Sequence, residues 1–186
     1  MATFFSSLRL GALTLPNRII MAPLTRCRAT PGTNAPNAMM AEMYAARADA
    51  GLLIAEATVI SEEARGFPNT PGVYSAEQTA GWRLVTDAVH ARGGRIYLQL
   101  WHQGRTASKE LNGGHTPVGP SAQADGSWAN GFGGRGGEAR ELTLQDIARI
   151  IADYKKGSEN AKVGAGCCCA PPLSLFVWFA FASPFP

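Results

Sequence analysis

The chain has 186 residues, 46% of them hydrophobic and 17% charged, which is the balance of a globular domain and excludes an intrinsically disordered one. Its 17 basic and 14 acidic residues give a net charge of +3 and are spread along the chain. No basic cluster is dense enough to contact a phosphate backbone, so no nucleic-acid partner is expected.

The cysteines exclude two further classes of protein. Cys167, Cys168 and Cys169 are consecutive, and Cys27 stands alone. This arrangement is neither a disulfide framework nor the paired ligand spacing of a zinc site, so we expect no metal, reduced thiols and a cytoplasmic location.

Neither end of the chain is predicted to be a signal peptide or a membrane span. The first ten residues lack a basic segment followed by a continuous apolar run, so no signal peptide is predicted. Residues 173–182 are apolar, but this run is about half the length that spans a bilayer, so no membrane association is expected. Residues 167–186 contain no charge and no capping or turn pattern, and we predict that they are an aberrant or disordered tail, separate from a domain over residues 1–166.

The first predicted elements alternate between strand and helix. Leu10 to Arg18 has the alternation of a hairpin, and Ile19 to Ala22 is a short apolar strand. Asn37 to Ala50 has helical spacing and ends at Gly51, and Leu52 to Ala55 is the next buried strand.

The alternation continues further along the chain. Ser75 is a good N-cap for a helix that ends at Gly93, and a third strand covers Ile96 to Leu100. Residues 104–140 are glycine-rich and weakly periodic, which predicts a long functional loop or lid. Thr143 then caps a helix with an apolar stripe formed by Ile147, Ile150, Ile151 and Tyr154.

Alternating strands and helices predict an α/β fold with a parallel sheet. Three such units fit either a doubly wound sheet or the start of a (β/α)8 barrel, and the pattern alone does not choose between them. A flavodoxin-like sheet that binds a nucleotide requires a glycine-rich turn after its first strand, where this chain has Pro23, Leu24 and Thr25. The glycine-rich segment 131–137 neither follows a strand nor opens a helix, so it is not predicted to bind phosphate.

Four motifs together resemble one enzyme family. They are NRIIMAPLTRCR from Asn17, AGLLIAEATVIS from Ala50, GFPNTPGVY from Gly66 and GRIYLQLWHQGR from Gly94. In this order and spacing they resemble the old yellow enzymes, the FMN-containing ene-reductases, of the N-ethylmaleimide reductase and 12-oxophytodienoate reductase types. The resemblance runs from about Leu10 to about Gly164.

The resemblance implies a (β/α)8 TIM barrel with FMN at the carboxyl ends of the strands. This chain would supply about three βα units, an incomplete N-terminal part of the barrel. The implied reaction uses NAD(P)H to reduce FMN, and the reduced flavin then reduces the C=C bond of an α,β-unsaturated carbonyl compound.

Carried over position by position, the resemblance implies a set of flavin contacts. Pro23, Leu24 and Thr25 would line the flavin after the first strand, with the Thr25 hydroxyl near a flavin carbonyl. Ala57 would let the backbone approach the ring closely. Gln99 would bond the pyrimidine edge, because its amide is both a donor and an acceptor.

The resemblance also implies a substrate mouth. Trp101 matches an aromatic residue there, and Phe67 occupies a position often held by Tyr, so a hydroxyl contact would be absent. We predict a structural or mouth role for His102 and no role in proton transfer, and Cys27 is expected to be a bystander.

No catalytic residue is assigned. The family's carbonyl-binding pair and its Tyr proton donor follow the point where the resemblance ends, near Gly166. We therefore expect impaired ene-reductase activity, because each missing donor to a developing negative charge costs on the order of 10²–10³ in rate. The alternative is a non-catalytic fragment with weak or no flavin binding.

Overall fold

The computed structural model of the chain describes residues 3–124 and 138–164. Within these residues the α-helices are α1 (Ala38–Ala45), α2 (Ala76–His90) and α3 (Leu144–Glu159). The strands are β1 (Leu8–Leu10), β2 (Leu13–Leu15), β3 (Ile20–Met21), β4 (Leu52–Val59), β5 (Ile96–Trp101), β6 (Val118–Gly119), β7 (Gln123–Ala124) and β8 (Glu138–Glu141). A 3₁₀ turn covers Gly104–Thr106, and a π-helical segment covers Asn160–Gly164.

The central feature is a parallel sheet in the order β3-β4-β5. Ile20 pairs with Leu52, and Leu53 pairs with Ile96. Each strand is followed by a helix, so the predicted parallel sheet and its three βα units are confirmed. The carboxyl ends of the three strands lie at the same edge of the sheet, where parallel α/β folds place their sites.

Strand β4 is longer than predicted and contains an irregularity. The prediction ended it at Ala55, but the strand continues to Val59 because the polar side chains of Glu56 and Thr58 are buried with partners. Between Ile54 and Ala57 the register shifts, so three steps along β4 match two steps along β5. Such a bulge re-aims the side chains that follow it.

The main core lies between the sheet and helices α1 and α2. Tyr44 and Trp82 are fully buried with ring centroids 6.2 Å apart, and the Trp82 indole Nε1 donates to the Gly72 carbonyl over 3.1 Å. Leu53 and Ile96 face this layer from the strands. The two helices therefore fix one face of the sheet.

Two predicted boundaries were wrong near the start of the chain. The hairpin is β1 and β2, ending at Leu15 instead of Arg18, because Gly11 adopts a left-handed φ of 58° and sets the turn there. Helix α1 ends at Ala45 instead of Ala50, because the amides of Arg47 and Ala48 bond to carbonyls three residues back and tighten the last turns.

The predicted long loop over residues 104–140 is partly ordered as a sheet. Strands β6, β8 and β7 form a small sheet in that order, with β6 parallel and β7 antiparallel to β8. The prediction missed it because two of its strands are only two residues long and show no alternation. The glycine-rich segment 131–137 lies outside the described residues, as do residues 167–186.

Helix α3 begins as predicted, with Thr143 as its N-cap. The predicted apolar stripe is buried only in part: Tyr154 is 6% exposed, but Ile147 is 41% and Ile151 59% exposed. The described elements cover the C-terminal half of the helix and leave its N-terminal apolar positions open.

Candidate functional site

The predicted flavin and mouth residues on β4 and β5 share one face of the sheet. Ala57 and Gln99 are direct register partners, as are Val59 and Trp101. Because side chains alternate along a strand, Gln99 and Trp101 point to the same side. Ala57 is 3% exposed and Gln99 is half-buried, so this face presents a small apolar surface beside an amide.

Phe67 closes one side of this face. Its ring stacks on Trp101 with centroids 5.8 Å apart and an interplanar angle of 28°. Phe67 belongs to the loop between β4 and α2, and Trp101 is the last residue of β5, so the loop after one strand meets the end of its neighbour here. The two residues predicted for the substrate mouth therefore contact each other.

The segment from Pro23 to Thr25 follows β3 at the same edge of the sheet. Met21 of β3 pairs with Leu53 of β4. Thr25 follows Met21 by the same number of residues as Ala57 follows Leu53. The next residue, Arg26, donates its backbone N–H to Glu56 Oε2 over 3.0 Å, which holds this segment beside β4. Leu24 and Thr25 are exposed.

Glu56 and Tyr44 are site-supporting residues that sequence reasoning missed. Glu56 is fully buried in β4, and its Oε1 accepts the Tyr44 hydroxyl over 3.2 Å. The Glu56 backbone N–H in turn donates to the Tyr44 oxygen over 2.9 Å. A carboxylate inside an otherwise apolar strand was the available signal, because buried charges require partners.

The electrostatics of this pair follow from burial. Burial raises the pKa of Glu56, and the amide hydrogens of Arg26 and Cys27 together with the Tyr44 hydroxyl act against that shift. The pKa of Tyr44 is raised by burial and by the Glu56 charge. Burial and Glu56 also raise the pKa of the Cys27 thiol, which makes it a poor nucleophile at neutral pH.

His102 is the residue that follows Trp101 at the end of β5. Its Nδ1 accepts the Gly104 backbone N–H over 2.9 Å, and its Nε2 lies 4.0 Å from Glu63 Oε1. Glu63 is also paired with Arg149 of α3 over 2.6 Å. Burial lowers the pKa of His102, which favours the neutral ring, and the Glu63 pair with Arg149 joins this region to α3.

The groove beside the start of α2 contains none of the predicted site residues. A groove of about 690 Å³ lies between the start of α2 and the end of α3, beside Ser75, Lys156 and Asn160. Among the described residues no group of three His, Cys, Asp or Glu side chains is placed to hold a metal ion. In the same residues no helix combines the length and apolar character of a membrane span.

Comparison with known proteins identifies the family of the chain. Residues 3–167 match the family model of the NADH:flavin oxidoreductase / NADH oxidase family. Flavin oxidoreductase hxnT of Emericella nidulans is 40% identical over 162 residues, which are 84% of this chain and 42% of that protein. The 12-oxophytodienoate reductase 7 of Oryza sativa is 38% identical over 86% of this chain and 42% of that protein.

Solved structures give the same result. The old yellow enzyme homologue from Zymomonas mobilis superposes with a TM-score of 0.82 at 44% identity, over 89% of this chain and 46% of that one. Morphinone reductase superposes with a TM-score of 0.81 at 44% identity, over the same fractions. The chain belongs to the NADH:flavin oxidoreductase family of old yellow enzymes, and it spans less than half of the length of these relatives.

Proposed function

We propose that this chain carries part of an FMN site of an ene-reductase that uses NAD(P)H to reduce the C=C bond of α,β-unsaturated carbonyl compounds. The observation that supports it is the pairing of Ala57 with Gln99 on one sheet face, with Thr25 at the same edge. The shared family of flavin oxidoreductases supports the cofactor and the reaction class.

The donor set at this edge fits a flavin ring. Ala57 carries only a methyl side chain, so a planar ring could approach the backbone of β4 closely. The Gln99 amide offers a donor and an acceptor to a ring edge that presents both, and the exposed Thr25 hydroxyl offers a donor that favours a reduced, more negative ring. Pro23 and Leu24 would complete the contact from the loop after β3.

The Phe67 and Trp101 stack would form one wall of the substrate site. Two aromatic faces suit a flat, conjugated substrate, and the absence of a hydroxyl on Phe67 leaves this wall apolar. Bound FMN would supply the hydride transfer between the nicotinamide and the alkene. This chain's own residues would position the ring and exclude water from one side.

The described residues are proposed to hold the flavin and to line the substrate site, and none of them is assigned to polarise a carbonyl or to donate a proton. We further propose a cytoplasmic protein whose partner is a small enone, with no nucleic-acid or membrane partner. Residues 1–166 would form the partial barrel, and residues 167–186 a separate tail.

Spectroscopy of the purified chain tests the proposal. A yellow sample with flavin absorbance bands, and an FMN affinity that falls about tenfold in Gln99→Ala, is the expected result, because one well-placed hydrogen bond contributes about 1 kcal/mol or more. Gln145→Ala is the matched control, since Gln145 is exposed on α3. NADPH-dependent loss of an enone then tests the reaction.

The alternative is a non-catalytic fragment with weak or no flavin binding. The exposed apolar side chains of α3 favour this alternative, because the rest of the described chain does not bury them. A colourless sample whose FMN titration is the same for Gln99→Ala and wild type would establish the fragment and refute the flavin site.

A further inference from the structure

The loop after β3 is held by a side chain that belongs to the neighbouring strand. Glu56 is fully buried in β4, and its carboxylate accepts the backbone N–H of Arg26 over 3.0 Å. The backbone N–H of Cys27 is directed to the same carboxylate. The Glu56 carboxyl group therefore bonds the loop backbone at Arg26, and the next amide along the loop faces the same group.

A third contact fixes the carboxylate itself. The Tyr44 hydroxyl donates to Glu56 Oε1 over 3.2 Å, while the same hydroxyl accepts the Glu56 backbone N–H over 2.9 Å. Tyr44 is fully buried in α1 against Trp82. Helix α1, strand β4 and the loop after β3 are thus joined through a single side chain.

The backbone of the loop supports this interpretation. Cys27 has a φ of 55°, a left-handed conformation that costs a non-glycine residue about 1 kcal/mol or more. A left-handed residue in a turn is one way in which successive N–H groups come to face the same acceptor. The hydrogen bond from the Arg26 N–H to Glu56 helps to offset the conformational cost.

We infer that Glu56 is a positioning residue, which holds the loop from Pro23 to Cys27 at the height where Thr25 can reach a ring lying over Ala57. The inference rests on the proposed flavin site for its consequence, but the Glu56 contacts with Arg26 and Tyr44 exist without a ligand. Glu56 touches no reacting atom, because it bonds to the loop backbone and to α1.

The first test needs no flavin. Backbone amide exchange of Arg26 is compared between the wild-type chain, Glu56→Gln and Glu56→Leu, with Val85 of α2 as a measure of global opening. Glu56→Leu removes both acceptors, so we expect Arg26 to exchange at least about tenfold faster while Val85 is unchanged. Glu56→Gln keeps one acceptor oxygen, and an intermediate rate is expected.

A matched control separates this role from the loss of any buried carboxylate. Glu63 is also buried, but it is bonded to Arg149 of α3 and not to the loop after β3. Glu63→Leu and Glu63→Gln are expected to leave the Arg26 exchange rate unchanged. If Glu56→Leu does not fold, the comparison of Glu56→Gln with Glu63→Gln decides the question in the same way.

The second test measures the dissociation constant for FMN by quenching of flavin fluorescence. We expect Glu56→Leu to weaken FMN binding about tenfold, with partial rescue in Glu56→Gln. If the wild-type chain binds no FMN, the proposed function fails, and the exchange rates still show whether Glu56 holds the loop. Equal Arg26 exchange in Glu56→Leu and the wild type, or equal loss in the Glu63 variants, would overturn the inference.

Discussion

At the scale of single residues, the surroundings of His102 decide its charge. The ring is buried, its Nδ1 already accepts the Gly104 N–H, and its Nε2 points toward Glu63 at 4.0 Å. Burial lowers the pKa of His102 below 6.5, while Glu63 raises it and Arg149 lowers it further. The unfolded chain therefore binds this proton more readily than the folded chain.

This lowered pKa makes the fold acid-sensitive. The stabilising effect of neutral His102 is fully present above its ordinary pKa of 6.5 and is lost as the pH falls below it. We expect the urea midpoint of the wild type to fall more steeply than that of His102→Asn between about pH 7.5 and pH 5, since Asn keeps the acceptor for Gly104. Equal slopes would show that His102 does not cause the sensitivity.

At Gly81 in α2, the neighbouring residues are expected to make alanine less favourable than glycine. Alanine normally stabilises a helix interior by about 1 kcal/mol relative to glycine. A Cβ at Gly81 would lie 2.5 Å from the Pro36 carbonyl oxygen and 2.8 Å from Pro36 Cδ. We expect Gly81→Ala to lower the free energy of unfolding by about 1–3 kcal/mol in urea titrations.

Gly157 provides the control for this substitution. It also lies inside a helix, but the nearest atom to an added Cβ is the Ile60 methyl Cγ2 at 3.2 Å. A side-chain methyl shifts more easily than a backbone carbonyl, so Gly157→Ala is expected to change stability far less. A Gly81→Ala variant as stable as Gly157→Ala would mean that α2 can move away from Pro36.

At the scale of elements, the start of α3 is tied to the small sheet. The Asp146 carboxylate accepts hydrogen bonds from the two terminal guanidinium nitrogens of Arg140, over 2.6 and 2.8 Å. It also forms a reciprocal capping box with Thr143. The hydrogen bonds from Arg140 have the largest effect and those from Thr143 the next largest, and together they hold the pKa of Asp146 well below its usual range. One carboxylate therefore joins β8 to the first turn of α3.

This contact has a defined pH dependence. Because the folded pKa is depressed, the stabilisation by Asp146 is present above its ordinary pKa of 3.8 and is lost as the pH falls below that value. We expect Asp146→Asn to unfold at lower urea concentration than the wild type at neutral pH, with the difference shrinking in acid. Glu159→Gln, at the exposed end of α3, is the control and is expected to show no such difference.

Elements with strong local signals were predictable from the sequence. Ser75 and Thr143 begin their helices as predicted, because each accepts the backbone N–H three residues ahead. The β4 boundary was not predictable from apolar residues alone, since Glu56 is stabilised there by Tyr44 and Arg26 from distant parts of the chain. The sheet of β6, β7 and β8 depends on pairing between segments with little local preference.

The sequence predicted a group of residues that the structure places near one another, but it did not predict the contacts that hold the neighbouring loop in place. The resemblance assigned Ala57, Gln99, Trp101 and Phe67, and the structure brings these four together. The resemblance gave no reason for the loop after β3 to stay beside β4. That reason is a buried hydrogen-bond network, and such networks join residues through three-dimensional proximity.

At the scale of the whole molecule, apolar surface remains open on α3. Leu144 is 86%, Ile147 41% and Ile151 59% exposed, and Ile20 on the β3 edge is 44% exposed. Contiguous apolar surface and an open strand edge both favour association between copies. The described part of the chain is therefore expected to self-associate.

Charge on this surface should reduce self-association without unfolding the chain. We expect the double variant Ile147→Lys with Ile151→Lys to show smaller particles by light scattering at equal concentration, because both side chains are exposed. Gln145→Lys adds charge next to the stripe and is the control, with little expected change. Equal particle sizes in all three proteins would place the association surface elsewhere.

The extra residue in β4 determines which side chain stands next to Gln99. Ile54 pairs with Tyr97, so a strand without the irregularity would place Glu56 beside Gln99 and turn Ala57 away. The extra residue therefore keeps Ala57, and not the Glu56 carboxylate, over the proposed ring position, and it leaves the carboxylate facing Tyr44. The chemistry of both faces of this part of the sheet thus depends on the register between two neighbouring strands.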